Sequence, residues 1–390
     1  YRNEDYPAAA RYFEQVEGAT DSLSQNTYYH LADCYLHMER RDRACQALQS
    51  AASMDFDKEI QADAQFNYAK LTYELRYLPF ADAVEAFLKF IETFPNSLRV
   101  DEAYTYLGMA FTETKNYQKA LDALERIKQP NANTKRAMQR AAYFRGVELM
   151  QNLRFEQAEA MFARSLESSE YDPDLRAKAL YWRAESLYRL QRYAVASKYY
   201  QDFLRSAGAY SLPQFPQTYY NLGYVYFKMQ SYEQAIGWFR QFVAQKGVDK
   251  NVLTDALVRT GDCYYVQRKY WPAIEWYERA KQEKGAGADY ALFQEGFALG
   301  LVARPEKKIS ALEQMDALFP NSLYRVEAYY EIATTYHAID RLDEALRYYR
   351  KVVNDFPASP FVPLALVQIG LAEYALSHYD EATTSFKRVV

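Results

Sequence analysis

Apolar side chains recur along this chain at intervals of three and four residues. Leu222 and Tyr226 are four residues apart, and Ala235, Phe239 and Phe242 follow with the same type of spacing. This period places apolar groups on one stripe of an α-helix, whereas a half-buried strand would alternate apolar and polar positions. The pattern therefore predicts amphipathic helices rather than a β-structure.

The helical pattern is repeated along the chain. A small residue recurs about every 37 to 38 residues, at Ala32, roughly at Lys70 in a copy with shifted register, and at Gly108, Gly146, Ala184, Gly223, Gly261, Gly296, Ala333 and Gly370. A second small residue follows twelve positions later, at Ala44, Ala120, Ala158, Ala196, Ala235, Ala273, Ala345 and Ala382, and at Ala83 in the copy whose turn carries one extra residue. Two small residues at this spacing let two antiparallel helices approach closely. Each copy is thus predicted to be a helical hairpin, and stacking buries what one hairpin cannot bury alone.

The repeat resembles that of the tetratricopeptide family, which carries Leu-Gly at positions 7 and 8, Tyr at 11, Ala at 20 and an aromatic residue at 24. The copy containing Leu222-Gly223, Tyr226, Ala235 and Phe239 follows this pattern. Ten copies in register cover essentially the whole chain. The resemblance implies an all-α fold, a right-handed superhelical solenoid of about ten stacked antiparallel helical hairpins that forms a single array over residues 1–390.

Some segments depart from the regular repeat. The long turn at 206–216 and the glycine-rich stretch at 283–288 are predicted hinges. In the eighth copy, Lys308 replaces the second small residue and Pro305 stands where an aromatic residue is usual, so this copy is predicted to be the least regular. Residues 1–20 fit the second helix of a truncated leading repeat. Because solenoids need polar caps for solubility, we expect more protein beyond one or both ends.

The net charge argues against a nucleic-acid partner, and the hydropathy argues against a transmembrane segment. The 390 residues contain 47 Lys and Arg against 51 Asp and Glu, a net charge of −4, whereas a protein that binds a nucleic-acid backbone is usually basic. The longest apolar stretch, 296–303, is far shorter than the roughly 20 residues that span a bilayer. We expect a soluble chain with no nucleic-acid partner and no transmembrane segment.

No motif in the sequence predicts catalysis or a cofactor. A nucleophile elbow, a dinucleotide-binding glycine motif after a strand and a His-Glu-x-x-His motif are all absent. Cys34, Cys45 and Cys263 are too few and too scattered for a zinc site, so they are predicted to be small core residues. The four histidines form no cluster with them. We therefore predict a protein that is not an enzyme and has no metal or cofactor; the sequence does not specify its oligomeric state.

The family resemblance implies that the first helix of each hairpin lines a concave groove, through positions 2, 5, 9, 12 and 13. Aromatic residues occupy these positions mainly in the middle and later repeats, at Tyr181, Tyr188, Tyr220, Tyr224, Phe227, Tyr265, Tyr290, Phe293, Phe297 and Tyr330. One interpretation is that these rings only fill space between hairpins. The other is that they hold an extended peptide or a partner helix, with Tyr supplying apolar area and a hydroxyl. The second interpretation predicts a non-catalytic scaffold for a protein or peptide partner.

Three copies of the repeat end in a similar four-residue phrase, which indicates a cellular compartment. The phrase Phe-Pro-Asn-Ser occurs at 94–97 and 319–322, and Phe-Pro-Ala-Ser at 356–359. It is similar to tetratricopeptide proteins of the bacterial cell envelope, of the outer-membrane assembly and Tol-Pal-associated types and the Bacteroides-like arrays. This resemblance implies a periplasmic or outer-membrane-associated protein. A cytoplasmic adaptor or regulator, and the recognition arm of a larger multidomain enzyme, are the alternatives.

Overall fold

The computed structural model describes residues 1, 4–16, 20–75 and 79–389. All regular elements in these ranges are helices, which confirms the all-α prediction. The chain divides into two compact units, Tyr1–Ser211 (unit 1) and Leu212–Val390 (unit 2). The division falls inside the 206–216 turn, and bending at that turn stays a prediction.

Unit 1 consists of a leading helix followed by five hairpins. Each odd-numbered helix after α1 packs antiparallel on the even-numbered helix before it, and we call these the second and first helices of a hairpin. The first 20 residues lie partly outside the described ranges, so their assignment to a truncated repeat stays a prediction. The helices are α1 (Tyr6–Phe13), α2 (Ser22–His37), α3 (Arg41–Ser53), α4 (Lys58–Glu74), α5 (Phe80–Thr93), α6 (Val100–Glu113), α7 (Tyr117–Leu124), α8 (Ala132–Gln151), α9 (Phe155–Leu166), α10 (Pro173–Arg189) and α11 (Tyr193–Arg205).

Unit 2 contains five further hairpins, whose first helices are α12, α14, α16, α19 and α21. The eighth copy of the repeat is irregular, as predicted, because its second helix is divided into two short pieces, α17 and α18. The helices are α12 (Gln214–Lys228), α13 (Tyr232–Val243), α14 (Lys250–Val266), α15 (Tyr270–Glu283), α16 (Ala288–Leu301), α17 (Pro305–Leu312), α18 (Met315–Leu318), α19 (Arg325–Ala338), α20 (Leu342–Asp355), α21 (Phe361–Ala375) and α22 (Tyr379–Lys387).

Glycines in the first helices let the second helices pack closely. A Cβ atom added at Gly261 would lie 2.6 Å from the Cε1 atom of Tyr277, and one at Gly108 would lie 2.6 Å from the Cγ atom of Leu124. In both pairs the large side chain follows the glycine by sixteen residues, so it comes from the second helix of the same hairpin. The close approach that the repeated small residues predicted is confirmed.

The turn inside most hairpins contains one residue in the left-handed backbone conformation. Left-handed geometry reverses the chain after a helix and is usually assigned to glycine, because glycine has no Cβ atom to clash. None of these residues is glycine, although their φ angles lie between 54° and 64°: Glu39, Lys115, Leu153, Gln191, Gln230, Arg268, Ala303, Asp340 and Ser377. The packing of the two helices therefore holds these turn residues in the left-handed conformation, which their own backbone preferences disfavour.

The second copy has a different register from the one that the sequence pattern suggested. Ala69 is fully buried at the position expected of the small residue, whereas Lys70 is half-exposed and its Nζ atom lies 3.9 Å from Glu102. Lys70 is therefore wrong as the small residue of this copy, and Ala69 takes its place. The connection to Ala83 is longer by two residues than in the regular copies, which explains why a simple offset failed.

The predicted hinge at 283–288 is held by specific contacts inside unit 2. Lys284 and Gly287 have φ angles of 53° and 83°. A Cβ atom at Gly285 would lie 2.9 Å from the backbone oxygen of Lys250, and the Ala286 amide donates to Asn251 Oδ1 at 2.9 Å. These contacts argue against a loose joint, and bending at this segment stays a prediction.

Three further observations concern the cysteines, metal-binding groups and membrane-spanning helices of the described residues. Cys34, Cys45 and Cys263 are buried and unpaired, which confirms them as core residues. No group of three His, Cys, Asp or Glu side chains could hold a metal ion within the ranges that the structure describes. No helix there is long and apolar enough to cross a membrane.

Candidate protein-binding surface

The ten aromatic residues that the sequence assigns to the groove do not lie in one unit. Tyr181 and Tyr188 are on α10 of unit 1, and the other eight are on the first helices of unit 2. Tyr181 and Phe293 are only 7% and 8% exposed, so they belong to the core more than to a binding surface. The remaining eight are half-buried. We call the surface formed by the first helices of a unit its first-helix face.

Two tyrosines of α12 donate to a single carboxylate of α14. The Tyr220 hydroxyl donates to Asp255 Oδ2 at 2.9 Å, and the Tyr224 hydroxyl donates to the same oxygen. Arg259, one turn further along α14, donates from Nε to the Tyr224 hydroxyl at 3.1 Å and to Asp255 Oδ1 at 3.3 Å. The hydrogen bonds thus join two neighbouring first helices.

A second carboxylate of α14 extends the same set of contacts. Asp262 Oδ1 accepts from the hydroxyls of Tyr277 at 2.8 Å and Tyr290 at 3.3 Å. Its Oδ2 accepts from Arg259 Nη1 at 2.8 Å. Arg259 therefore bridges the two carboxylates. We call this set the tyrosine–carboxylate network; its members are Tyr220, Tyr224, Asp255, Arg259, Asp262, Tyr277 and Tyr290.

Burial fixes the protonation of the tyrosines in this network. Desolvation, with the hydrogen bond to Asp255, raises the pKa of Tyr224 to about 12. Burial is also the main cause that raises the pKa of Tyr220, Tyr277 and Tyr290. The phenols therefore keep their protons and donate them to Asp255 and Asp262. The hydroxyls of Tyr220, Tyr224 and Tyr290, three of the residues predicted to line the groove, are thus directed to carboxylates of the same chain, as is that of Tyr277.

The rings of unit 2 also pack against one another. Phe293 and Phe297 have ring centroids 5.0 Å apart, and those of Tyr330 and Phe361 are 5.2 Å apart. Aromatic pairs at such separations add to stability beyond the area they bury. Phe293 and Phe297 lie on the same helix, α16, whereas the pair of Tyr330 on α19 and Phe361 on α21 joins two hairpins, as the space-filling interpretation requires. The half-buried remainder forms the wall of the first-helix face.

Two exposed aliphatic residues end neighbouring first helices in unit 2. Val266, the last residue of α14, is 55% exposed, and Leu301, the last residue of α16, is 52% exposed. Both occupy position 13 of the repeat. Neither residue is aromatic, so neither is among the predicted groove residues; the signal that could have found them is an apolar residue at that position.

Lys308, which looks like a defect in the repeat, reaches the first-helix face. Its Cδ atom lies 3.2 Å from the point where a Cβ atom of Gly300 would be, so the missing side chain of Gly300 makes room for it. Its Nζ atom is 2.7 Å from Glu331 Oε2 and 5.5 Å from the ring centroid of Phe297. The irregular copy thus places a buried ammonium group between α16 and α19.

The first-helix face of unit 1 is ionic. Arg99 Nη1 lies 2.9 Å from Asp63 Oδ1, and Asp63 also accepts from the hydroxyl of Tyr29. Arg140 Nη2 lies 2.9 Å from Glu113 Oε1. These pairs are partly exposed.

Family models described as tetratricopeptide repeat match three stretches of one type, at 80–133, 143–211 and 184–249, and two of other types, at 25–58 and 327–359. Together these stretches cover more than half of the chain. The chain belongs to the tetratricopeptide-repeat family. Repeats of this family generally form non-catalytic scaffolds for protein partners, which agrees with the coarse functional prediction.

Solved structures of tetratricopeptide proteins are similar to parts of this chain. YrrB, a TPR protein with an unusual peptide-binding site, is 20% identical over 53% of this chain and 95% of its own, with a TM-score of 0.39. MamA of Desulfovibrio magneticus RS-1 is 17% identical over 45% and 92%, with a TM-score of 0.36. Pseudomonas aeruginosa pilF is 21% identical over 58% and 95%, with a TM-score of 0.34. Because the sequence identities and TM-scores are low, these similarities do not indicate what this tetratricopeptide chain binds. No curated protein matches the sequence.

Proposed function

We propose that this tetratricopeptide protein is a non-catalytic scaffold that binds a segment of another protein, rather than nucleic acid, on its first-helix faces. The observation that carries the proposal is the surface of unit 2. There, α14 carries the half-buried ring of Tyr265 and the exposed side chain of Val266, α16 carries the half-buried Phe297 and the exposed Leu301, and α12 carries the half-buried Phe227.

The tyrosine–carboxylate network supports this proposal because it preorganises the surface. Asp255 and Asp262 accept from tyrosines on three different helices, and Arg259 connects the two carboxylates. Binding is strengthened when side chains are already held in the bound arrangement, since less conformational freedom is lost. The network holds the rings of Tyr220, Tyr224 and Tyr290 in place, and the exposed aliphatic residues supply apolar area to a partner.

Selection of random peptides on the full chain tests the proposal. Peptides of about 16 residues displayed on phage would be enriched on immobilised protein, and their affinities measured by fluorescence anisotropy. We expect the double substitution Val266→Asp and Leu301→Asp to weaken the binding of enriched peptides by about tenfold or more, because truncated or charged contacts at an interface core cost on the order of 1 to 2 kcal/mol. Both residues are exposed, so melting should change little.

Trp271→Asp is the matched control. Trp271 is 49% exposed but lies on a second helix, α15. It should leave peptide affinity unchanged. Failure to enrich any peptide, or equal losses in the two variants, would contradict binding by the first-helix face of unit 2.

The cellular setting is a separate part of the proposal. On the resemblance of the Phe-Pro-Asn-Ser phrase at 94–97 and 319–322 to envelope proteins, we propose a place in a bacterial envelope complex, periplasmic or outer-membrane-associated. Fractionation of host cells, followed by intact-mass analysis of the natural protein, checks it. Recovery from the cytoplasm would favour the adaptor, and a large additional non-repeat mass would favour the recognition arm of an enzyme.

A further inference from the structure

A pocket on the first-helix face of unit 1 is formed by a departure from the repeat. The first helix α8 runs over 20 residues, from Ala132 to Gln151, and begins 14 residues before its small residue, Gly146, whereas α6 begins 8 residues before Gly108 and α10 begins 11 residues before Ala184. The extra turns lie beside α6 and enclose a cavity of about 280 Å³. We call it the Tyr106 pocket; its lining includes Glu102, Tyr106, Met109, Arg136, Ala137 and Arg140.

Buried hydrogen bonds hold the two walls of the pocket together. The hydroxyls of Thr105 on α6 and Thr134 on α8 are 2.9 Å apart, and both side chains are buried. Asn131 caps α8, because its Oδ1 atom accepts from the Thr134 amide at 3.0 Å. The pocket is therefore a fixed feature of unit 1.

The walls of the pocket are apolar and its rim is charged, with Arg136 and Arg140 on one helix and Glu102 on the other. Tyr106, Met109 and Ala137 supply the apolar surface, and the flexible thioether of Met109 can adapt to an incoming side chain. At the rim, Arg140 is paired with Glu113 at 2.9 Å, and Glu102 lies 3.9 Å from Lys70.

Arg136 differs from the other charges at this rim. Its Nε atom donates only to the backbone oxygen of Tyr171, at 3.4 Å, and it has no ion pair with a described carboxylate. One positive charge at the mouth of the pocket is thus left without a carboxylate partner from the described part of the chain. A ligand carboxylate is the group that would compensate it.

The size of the pocket restricts the ligand further. Sites for free small molecules usually enclose about 300 to 1,000 Å³, so a cavity of about 280 Å³ suits one side chain better. A second cavity, of about 750 Å³, adjoins it and shares Arg140 as a lining residue. An extended segment can therefore place one side chain in the Tyr106 pocket and continue along the same face.

We propose that the Tyr106 pocket binds one apolar side chain of an extended protein segment, with an Asp or Glu side chain next to it held by Arg136. This inference deepens the proposed scaffold function and rests on it. It adds a binding position in unit 1, at residues that the sequence analysis did not select, and it assigns the chemistry of the bound segment.

The same peptide selection on the full chain tests this assignment. We expect a class of enriched peptides with an apolar residue beside Asp or Glu. Met109→Trp should fill the pocket and weaken this class by about tenfold or more. Replacement of the acidic residue in such a peptide by its amide should give a comparable loss with the original protein, because the charge contact is removed.

Reversal of the charge at Arg136, together with the opposite reversal in the peptide, distinguishes specific recognition of the acidic side chain from a general loss of folding. Arg136→Glu should reject the acidic peptides and accept the same peptides carrying Lys in place of Asp or Glu. Arg126→Glu is the matched control: Arg126 is exposed in the connection between α7 and α8 and does not line the pocket, so its substitution should leave both preferences unchanged.

The possible results separate this inference from the proposed function. Peptides that respond to Met109→Trp and show the charge exchange at Arg136 support the inference. Peptides that respond to Val266→Asp with Leu301→Asp, but to neither unit 1 variant, overturn it and leave the scaffold function standing. The absence of any enriched peptide would contradict both.

Discussion

The two units use the same helical hairpin but build their first-helix faces from different interactions. In unit 1, charged pairs such as Arg99 with Asp63 and Arg140 with Glu113 are partly exposed. In unit 2, the carboxylate of Asp262 is buried and is surrounded by tyrosine hydroxyls and Arg259. A charged side chain of an exposed pair can leave its intramolecular partner and pair with a charged group of a bound protein. The buried carboxylate of unit 2 instead keeps its hydrogen bonds within the chain. The contrast predicts charge selection in unit 1 and apolar recognition in unit 2.

The largest effect should come from the buried ion pair of unit 2. Lys281 Nζ lies 2.8 Å from Glu295 Oε2, and the two side chains are 11% and 9% exposed. Lys281→Met leaves a carboxylate buried without its partner, which typically costs about 3 to 5 kcal/mol of unfolding free energy. Urea denaturation measures the loss. The double variant with Glu295→Leu should recover most of it, and a double variant as unstable as the single one would contradict this account.

The pH dependence of the Lys281→Met variant follows from the same burial. Burial already raises the pKa of Glu295 in the folded protein, and removal of Lys281 raises it further. The folded state then holds a proton that the unfolded state releases, so stability falls as the pH rises from the ordinary Glu value toward the raised one. The variant should therefore be closer to the parent protein at pH 5 than at pH 7.

Alanine at equivalent glycines of the two units should have unequal effects. A Cβ atom at Gly223 in unit 2 would overlap the ring of Phe239, which is fully buried and cannot move away. We expect a cost of about 1 to 3 kcal/mol from overpacking. At Gly108 in unit 1 the neighbour is Leu124, 2.6 Å from such a Cβ atom at its Cγ. Leu124 is as buried as Phe239, but its side chain can change rotamer within the site whereas a ring is rigid, and the gain in helix propensity of up to about 1 kcal/mol offsets part of the strain. Thermal melting of both variants checks the difference; equal losses would show that ring rigidity is not the cause.

Two buried tyrosines at the same repeat position test the tyrosine–carboxylate network. Tyr277 donates to Asp262 at 2.8 Å, whereas the buried hydroxyl of Tyr349 has no hydrogen-bond partner among the described residues. Tyr277→Phe should cost about 1.5 to 3 kcal/mol, as expected for a hydrogen bond to a charged group. Tyr349→Phe should be neutral or slightly stabilising. Chemical denaturation of the two variants decides between them, and a loss at position 349 as large as that at 277 would refute this explanation.

The exposed pairs of unit 1 should give the smallest effect. Arg99→Ala removes the contact with Asp63 and a guanidinium that lies 4.9 Å from the ring centroid of Phe66. For a pair of this exposure we expect a loss of no more than about 1 kcal/mol. The difference from the parent protein should shrink in 1 M NaCl because salt screens exposed charges. The loss caused by Tyr277→Phe should persist in the same salt; if both losses respond alike, the contrast between the units is wrong.

The repeat pattern was sufficient to predict the fold but only part of the candidate surface. Small residues at fixed spacing identified the hairpins, because larger side chains at those positions would clash with the facing helix. Lys70 was wrongly assigned as the small residue of the second copy. The connection from Ala69 to Ala83 is two residues longer than in the regular copies, and a fixed spacing does not reveal such an insertion. Lys308 could be recognised as unusual, but its contact with Glu331 depends on the gap above Gly300.

The sequence by itself determined the class of structure, the number of copies and the direction of each helix pair, because periodicity and residue size are local properties of the chain. Only the tertiary structure decided which groups face a partner. The hydroxyls of Tyr220 and Tyr224 are directed to Asp255, more than 30 residues away in the chain, and Tyr106 lines a pocket formed with a different helix. Hydrogen bonding and burial between repeats depend on how the hairpins stack, and that stacking is set by the summed packing of many side chains rather than by any one position.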